Sequence, residues 1–271
     1  MPALNTITSD KLGRLIGTPS CPALIDLRPG RPDLLPGSLR RPAETVEDWS
    51  GAVSAPAVVI CGNGAEASPG VAAYLRSRGV EAEVLEGGIK AWTAQGQPLV
   101  RESALPPRDR LGRTVWVTRA RPKVDRIACP WLIRRFVDPE ALILYVAPGE
   151  VARVAEQLQA APFDVDGVFW SHRGALCSFD VMVEEFGLAR LPGLGRLAEV
   201  VRGADTGHPE IAPQAAGLLA ASLGLSRMFS SDEEQLAAGM LLYDAFFRWA
   251  RDAWEETHTW ESHLPKGRAR T

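Results

Sequence analysis

Lysine is scarce, long apolar runs are missing, and the few cysteines stand far apart; each absence removes a class of function. The chain of 271 residues carries four lysines against 26 arginines and a net charge of −3. Acid and base balance in both halves, with 10 Lys+Arg against 11 Asp+Glu in residues 1–104 and 20 against 22 beyond them. No global field is left to recruit nucleic acid or an anionic membrane, so neither is expected as a partner. No helix-turn-helix pattern with a basic recognition helix is visible. No segment reaches the roughly 18 consecutive apolar residues that a spanning helix needs. The opening stretch MPALNTITSDKLGRLIG also lacks a basic start followed by an apolar run. These absences predict a cytoplasmic protein. Cys21, Cys61, Cys129 and Cys177 match no zinc finger, CxxC pair or small disulfide scaffold, which predicts free thiols in a reducing compartment.

What remains is an ordinary globular composition, 46% hydrophobic and 23% charged, with length enough for two cores. In TSDKLGRLI, Thr8 or Ser9 caps a short helix with Leu12, Leu15 and Ile16 on one side. PALIDLRP reads as a buried strand ending at Asp26, AVVIC (57–61) as a second, and VEAEVLEGG as a third. SPGVAAYLRSRG and AWTAQGQPL supply helices between and after them. Strands alternating with helices at this spacing predict an α/β unit with a largely parallel sheet over residues 1–104. RESALPPRDRLG breaks every period, so 105–112 is predicted to be a linker. Beyond it, 113–256 is predicted to be a mainly helical α+β domain. TVWVTR and ALILYVA are its strands, DRIACPWLIRRFV is an apolar helix, and a long aromatic-rich helix ends it, with Tyr243, Phe246, Phe247, Trp249 and Trp254 read as core. Residues 257–271 show no apolar periodicity and are predicted to fray.

The segments LIDLRP, VVICGNGAEAS and VEAEVLEGGIKAWTAQGQPL resemble the rhodanese-like sulfurtransferase domain. Cys61 at a strand end, Gly64 three residues on, Gly87-Gly88 and Ala91-Trp92 stand in family order. The resemblance implies persulfide formation on Cys61 within the loop Gly62, Asn63, Gly64, Ala65, Glu66 and Ala67, and transfer of that sulfur to an acceptor, which would make the protein a sulfurtransferase. Backbone amides of such a loop and the following helix dipole favour the thiolate. Two departures matter. The family's loop carries an arginine and then serine or threonine where this chain has Glu66 and Ala67, and a carboxylate beside the sulfur opposes both a thiolate and a dianion. The family's GHIPGA-like stretch is reduced to LLPGSLRR. A less charged donor such as a persulfide is therefore expected in place of thiosulfate. A loop kept only for docking is the competing reading.

TRARPKVDRIACPWLIRRFVDPEALILYV, WSHRGALCSFD and VVRGADTG resemble the C-terminal domain of the chromate-resistance ChrB family. That resemblance implies chromate resistance or sensing; a chromate-responsive transcriptional regulator is the alternative. From the residues themselves, Arg119, Arg121, Lys123, Arg126 and Arg134, with Arg135, form a basic run against Asp125 alone. Guanidinium forks suit a tetrahedral dianion such as chromate. They suit equally a structural network with Asp125, Asp138 and other carboxylates. His172, Cys177, Asp180 and Asp205 would suit zinc or iron if folding gathered them. Hydrogen-bonded structure is the other reading of these four. The expected partners are a small anion, chromate or a sulfur donor, and a protein sulfur acceptor.

Overall fold

The computed structural model describes residues 5–30, 32–54 and 56–256; the stretch 257–271 lies outside the described residues. Five parallel strands form the first sheet in the order β1-β5-β4-β2-β3. They are β1 (Thr6–Ile7), β2 (Ala23–Asp26), β3 (Ser38–Arg40), β4 (Ala57–Ile60) and β5 (Ala82–Leu85). All four residues of β4 are buried, as a central strand covered on both faces requires. Alternation divides them. Val58 and Ile60 join a core with Ile7, Leu12, Leu85 and Trp92, while Val59 joins Ile25, Val71, Leu75 and Val84 on the opposite face.

Four helices flank this sheet: α1 (Ser9–Leu15), α2 (Val46–Trp49), α3 (Ser68–Ser77) and α4 (Gly88–Ala94). Thr8 caps α1, its side chain accepting from the Lys11 amide at 3.3 Å. The strands β1 and β3, two and three residues long, are too short to leave a period in the sequence.

In the second half β6 (Val115–Arg119) lies between β7 (Leu142–Val146) and β8 (Ala161–Pro162), all parallel. Helices α5 (Asp125–Leu132), α6 (Val151–Leu158), α7 (Ser178–Glu185), α8 (Leu194–Asp205), α9 (Ala215–Met228) and α10 (Asp232–Asp252) surround this small sheet. Pro130 inside α5 has no N–H to give the Arg126 carbonyl, and the Tyr145 hydroxyl donates to that oxygen instead, at 2.8 Å. The helix then widens into a π turn over Ile133–Val137. In α10, Tyr243 and Phe247 are buried, and both ring-pack on Trp131.

The stretch between the halves is tied down at its end. The buried Asp138 carboxylate accepts from the Thr114 amide and hydroxyl, both at 2.7 Å, and from Arg108 at 3.2 Å. Above it a single apolar cluster runs from Leu12, Ile16 and Trp92 through Trp131 and Phe136 to Phe186 and Phe247. The two halves share one core.

Candidate functional site

Cys61 follows β4 at the carboxyl edge of the parallel sheet, where open α/β sheets bind their ligands. The loop turns back at Gly64, whose φ of +78° suits glycine. The Gly64 N–H donates to Cys61 Sγ at 3.2 Å, and Ser68 Oγ lies 3.0 Å from the same sulfur. Ser68 opens α3, so the sulfur sits at a helix N-terminus. Burial opposes the thiolate. The Ser68 hydroxyl and the amides of Glu66, Asn63 and Ser68 outweigh it and bring the thiol pKa below its ordinary value.

The glycine pair explains how the loop is held. A Cβ on Gly88 would lie 2.5 Å from the Cys61 carbonyl oxygen and 2.7 Å from the Gly64 nitrogen, so only glycine admits the loop. The Ile89 and Lys90 amides donate to the carbonyls of Cys61 and Gly62 at 3.0 and 3.2 Å. Helix α4 thus carries the loop from below.

Cys61, 3% exposed, lines a pocket of about 450 Å³ together with Leu27, Arg28, Glu44, Gly62 and Glu66. Arg28 is the pocket's one cation among the described residues, and it is engaged: its Nε and a terminal nitrogen bind the two Asp26 oxygens at 3.0 and 2.7 Å. The exposed Glu66 carboxylate lies close over Gly62. The other thiols are different in kind. Burial pushes Cys21 up to about 12 and drives Cys129 and Cys177 well above the ordinary range.

The second site gathers at the carboxyl ends of β6 and β8. Asp125 opens α5, Asp164 follows β8, His172 stands in the loop after Trp170, and Asp205 ends α8. One ligand atom from each lies within 4.8 Å of the other three. His172 Nε2 is 3.2 Å from Asp205 Oδ2, 3.5 Å from Asp164 Oδ1 and 3.8 Å from Asp125 Oδ2. Two carboxylates about 4 Å apart repel by about 4 kcal/mol at an effective dielectric of 20, so three on one spot require counter-charge. Burial first, and then Asp205 and Asp164, push the Asp125 carboxyl well up; burial and then Asp164 raise that of Asp205. Val124 and Asp164 hold positive φ of +32° and +51°, strain of about 1–3 kcal/mol each that fixes the approach of both acids.

Residues 116–250 match the model of the ChrB C-terminal domain. This half of the chain belongs to the ChrB C-terminal domain family. The protein ChrB of Cupriavidus metallidurans is 37% identical over 121 residues, which are 45% of this chain and 36% of that protein. The chain therefore spans about a third of the length of that curated relative. Over the first half, a rhodanese-like domain protein of Staphylococcus aureus is 26% identical, with 33% of this chain and 91% of that chain covered and a TM-score of 0.30. A rhodanese homolog of Thermus thermophilus is also 26% identical, with 32% and 100% covered and a TM-score of 0.28. No helix among the described residues is long and apolar enough to cross a membrane.

Within the ChrB-type half the anticipated residues separate. His172 and Asp205 meet, while Asp180 turns away to pair with Arg202 at 3.1 Å and to cap α7 through the Cys177 amide at 3.0 Å. Cys177 is fully buried; its thiol lies against the Asp125 carboxyl without being among the converging four. Asp125 and Asp164 take the remaining places, and neither stood among the metal candidates read from the sequence. The arginines do not converge on one anion site. Arg121 binds the carbonyls of Ser226 and Phe229, Arg134 that of Ala141, and Arg135 the Asp244 carboxylate. Lys123 is exposed. Arg119 and Arg126 both lean on Asp164, at 3.4 and 3.2 Å.

Proposed function

We propose that this chain is a chromate-response protein whose first half carries sulfane sulfur on Cys61, beside a ChrB-type half that responds to the oxyanion. One observation carries the sulfur reading: an amide at 3.2 Å and a hydroxyl at 3.0 Å converge on a sulfur whose thiol pKa lies below the ordinary value. The Cys61 thiolate attacks the outer sulfur of a small persulfide, R–S–SH. A new S–S bond forms, the old one breaks, the proton stays on the transferred sulfur, and R–S⁻ leaves. The Cys61 persulfide then passes that sulfur to a nucleophilic acceptor. The acceptor's attack on the outer sulfur breaks the S–S bond, and the Cys61 thiolate that leaves has its charge held by the same amides.

Glu66 decides the donor. With Arg28 engaged by Asp26, the pocket mouth is lined by Glu44 and Glu66 and offers nothing to a dianion such as thiosulfate. The oxyanion reading for the ChrB-type half rests on Arg119 and Arg126, which are themselves shared with Asp164, although Arg119 keeps a buried Nε without a hydrogen-bond partner; the neighbouring arginines are spent on carbonyls and on Asp244.

Incubation with a small-molecule persulfide is expected to add about 32 mass units to the protein, removable by reductant and absent in Cys61→Ser. Glu66→Arg is expected to gain turnover with thiosulfate. A wild-type protein that takes up no sulfur, together with a silent Glu66→Arg, would leave the loop as a docking surface only.

A further inference from the structure

We propose that Asp125, Asp164, His172 and Asp205 form a binding site for one divalent first-row transition-metal ion, Mn²⁺, Fe²⁺ or Zn²⁺, in the ChrB-type half. The site is separate from Cys61 and does not depend on the sulfur chemistry assigned to it.

The donor atoms have the right spread. With metal–ligand bonds of about 2.1 Å, ligands stand about 3.4 Å apart in a tetrahedron and about 3.0 or 4.2 Å apart in an octahedron. The three distances from His172 Nε2, 3.2, 3.5 and 3.8 Å, fall within that range, and a small contraction of the 4.8 Å limit closes the set.

Charge points the same way. Asp164 has Arg119 and Arg126 for counter-ions, yet among the described residues neither Asp125 nor Asp205 has an arginine or lysine within ion-pair distance. Asp125 supplies an independent sign. Its side chain is wholly buried and its Oδ1 has no hydrogen-bond partner, and its charge is met only by a 3.3 Å bond from the Phe179 amide to Oδ2 and by the weakly donating Cys177 thiol. A buried carboxylate left so bare is costly unless something else binds it.

The surroundings hold the ligands still. The Ser178 hydroxyl donates to Asp164 Oδ1 at 3.0 Å and the Asp125 amide to Asp205 Oδ1 at 3.3 Å, the outer contacts that orient a metal's ligands. Exposure rises from 0% for the Asp125 side chain through 10% for Asp164 and 17% for Asp205 to 41% for His172. The ion would enter from the His172 side, and a coordination position facing solvent would remain for water or an anion. An imidazole among three carboxylates favours a transition metal over Mg²⁺ or Ca²⁺, which prefer oxygen alone.

The full chain, stripped with chelator, is to be equilibrated separately with Mn²⁺, Fe²⁺ and Zn²⁺, desalted, and analysed for metal content and melting temperature. One equivalent of at least one ion with a raised melting temperature is expected. His172→Ala, an exposed position that leaves folding intact, and Asp125→Asn should each weaken binding by about 100-fold or more. His208→Ala, outside the cluster, should bind as the wild type does. No retained ion with any of the three metals, or uptake unchanged in His172→Ala and Asp125→Asn, would overturn the proposal.

Discussion

Ser68→Ala tests whether the Cys61 loop is tuned to hold a thiolate. Ser68 is fully buried and its Oγ lies 3.0 Å from Cys61 Sγ, so the substitution removes one hydrogen bond to the charged sulfur and little else. A hydrogen bond to a charged group contributes about 1.5–3 kcal/mol. At 1.36 kcal/mol per pKa unit, the thiol pKa should rise by about 1–2 units. The lower figure is the better expectation, since the loop amides remain in place. The assay is the rate of iodoacetamide labelling against pH, read by intact mass and located by peptide mapping. The thiolate is the nucleophile, so the rate climbs with pH and levels off above the pKa. A depressed pKa moves the midpoint of that climb to lower pH, and Ser68→Ala should move it back up. The other three cysteines, held protonated by burial, should stay unlabelled in the native protein below about pH 9. An unchanged midpoint in Ser68→Ala, or labelling of Cys129 and Cys177 as fast as Cys61, would refute the reasoning.

Two further substitutions probe the frame that carries both sites. Gly17→Ala puts a Cβ at φ +76° and 2.2 Å from the Phe136 ring, at the junction of the halves. Left-handed backbone and overpacking together should cost about 2–5 kcal/mol, seen as a lower urea midpoint in one transition reported by both halves. Asp244→Ala strips the partner from the Trp131 indole at 2.8 Å and from Arg135 at 2.8 and 2.7 Å. Arg135 is partly exposed, so the loss should be about 2–4 kcal/mol, below the full figure for a buried pair. The same urea titration reads it.

Local patterning carried most of the fold. β2, β4 and β5 fall where apolar runs end in turns, and α1 begins where Thr8 can cap it. Cys61 was legible because a whole site lies in eight consecutive residues. The four-residue cluster was only half legible, since Asp125 and Asp205 are 80 positions apart and meet through the packing of α5 against α8, which leaves no spacing to read. Asp125 looked like a counter-ion for its arginine neighbours; instead it faces His172, and its neighbours bind elsewhere. Cys177 and Asp180 misled for the opposite reason. They lie close to His172 in sequence, yet the start of α7 consumes both, one as a buried thiol and the other as a cap and the partner of Arg202.

Helix α5 links the cluster to the core the halves share. Its first residue is Asp125, and its π-helical extension ends at Val137, a rod of about 20 Å at 1.5 Å per residue. At the far end the Phe136 carbonyl accepts from the Gly37 amide of the first half at 2.6 Å, Phe136 packs on Phe247, and the ring of Phe136 fills the space a side chain at Gly17 would need. Arg135, one residue earlier, is clamped by Asp244. A shift of Asp125 toward a bound cation therefore cannot be absorbed at that end by a loop, because the end is set in close-packed aromatic rings that resist small displacements. It must be absorbed near Val124, where the backbone is already strained at φ +32°. Cation binding should accordingly slow hydrogen exchange of the Asp125 and Arg126 amides most. Protection that appeared instead at Phe136 and Gly37 would mean that the rod transmits the shift into the first half.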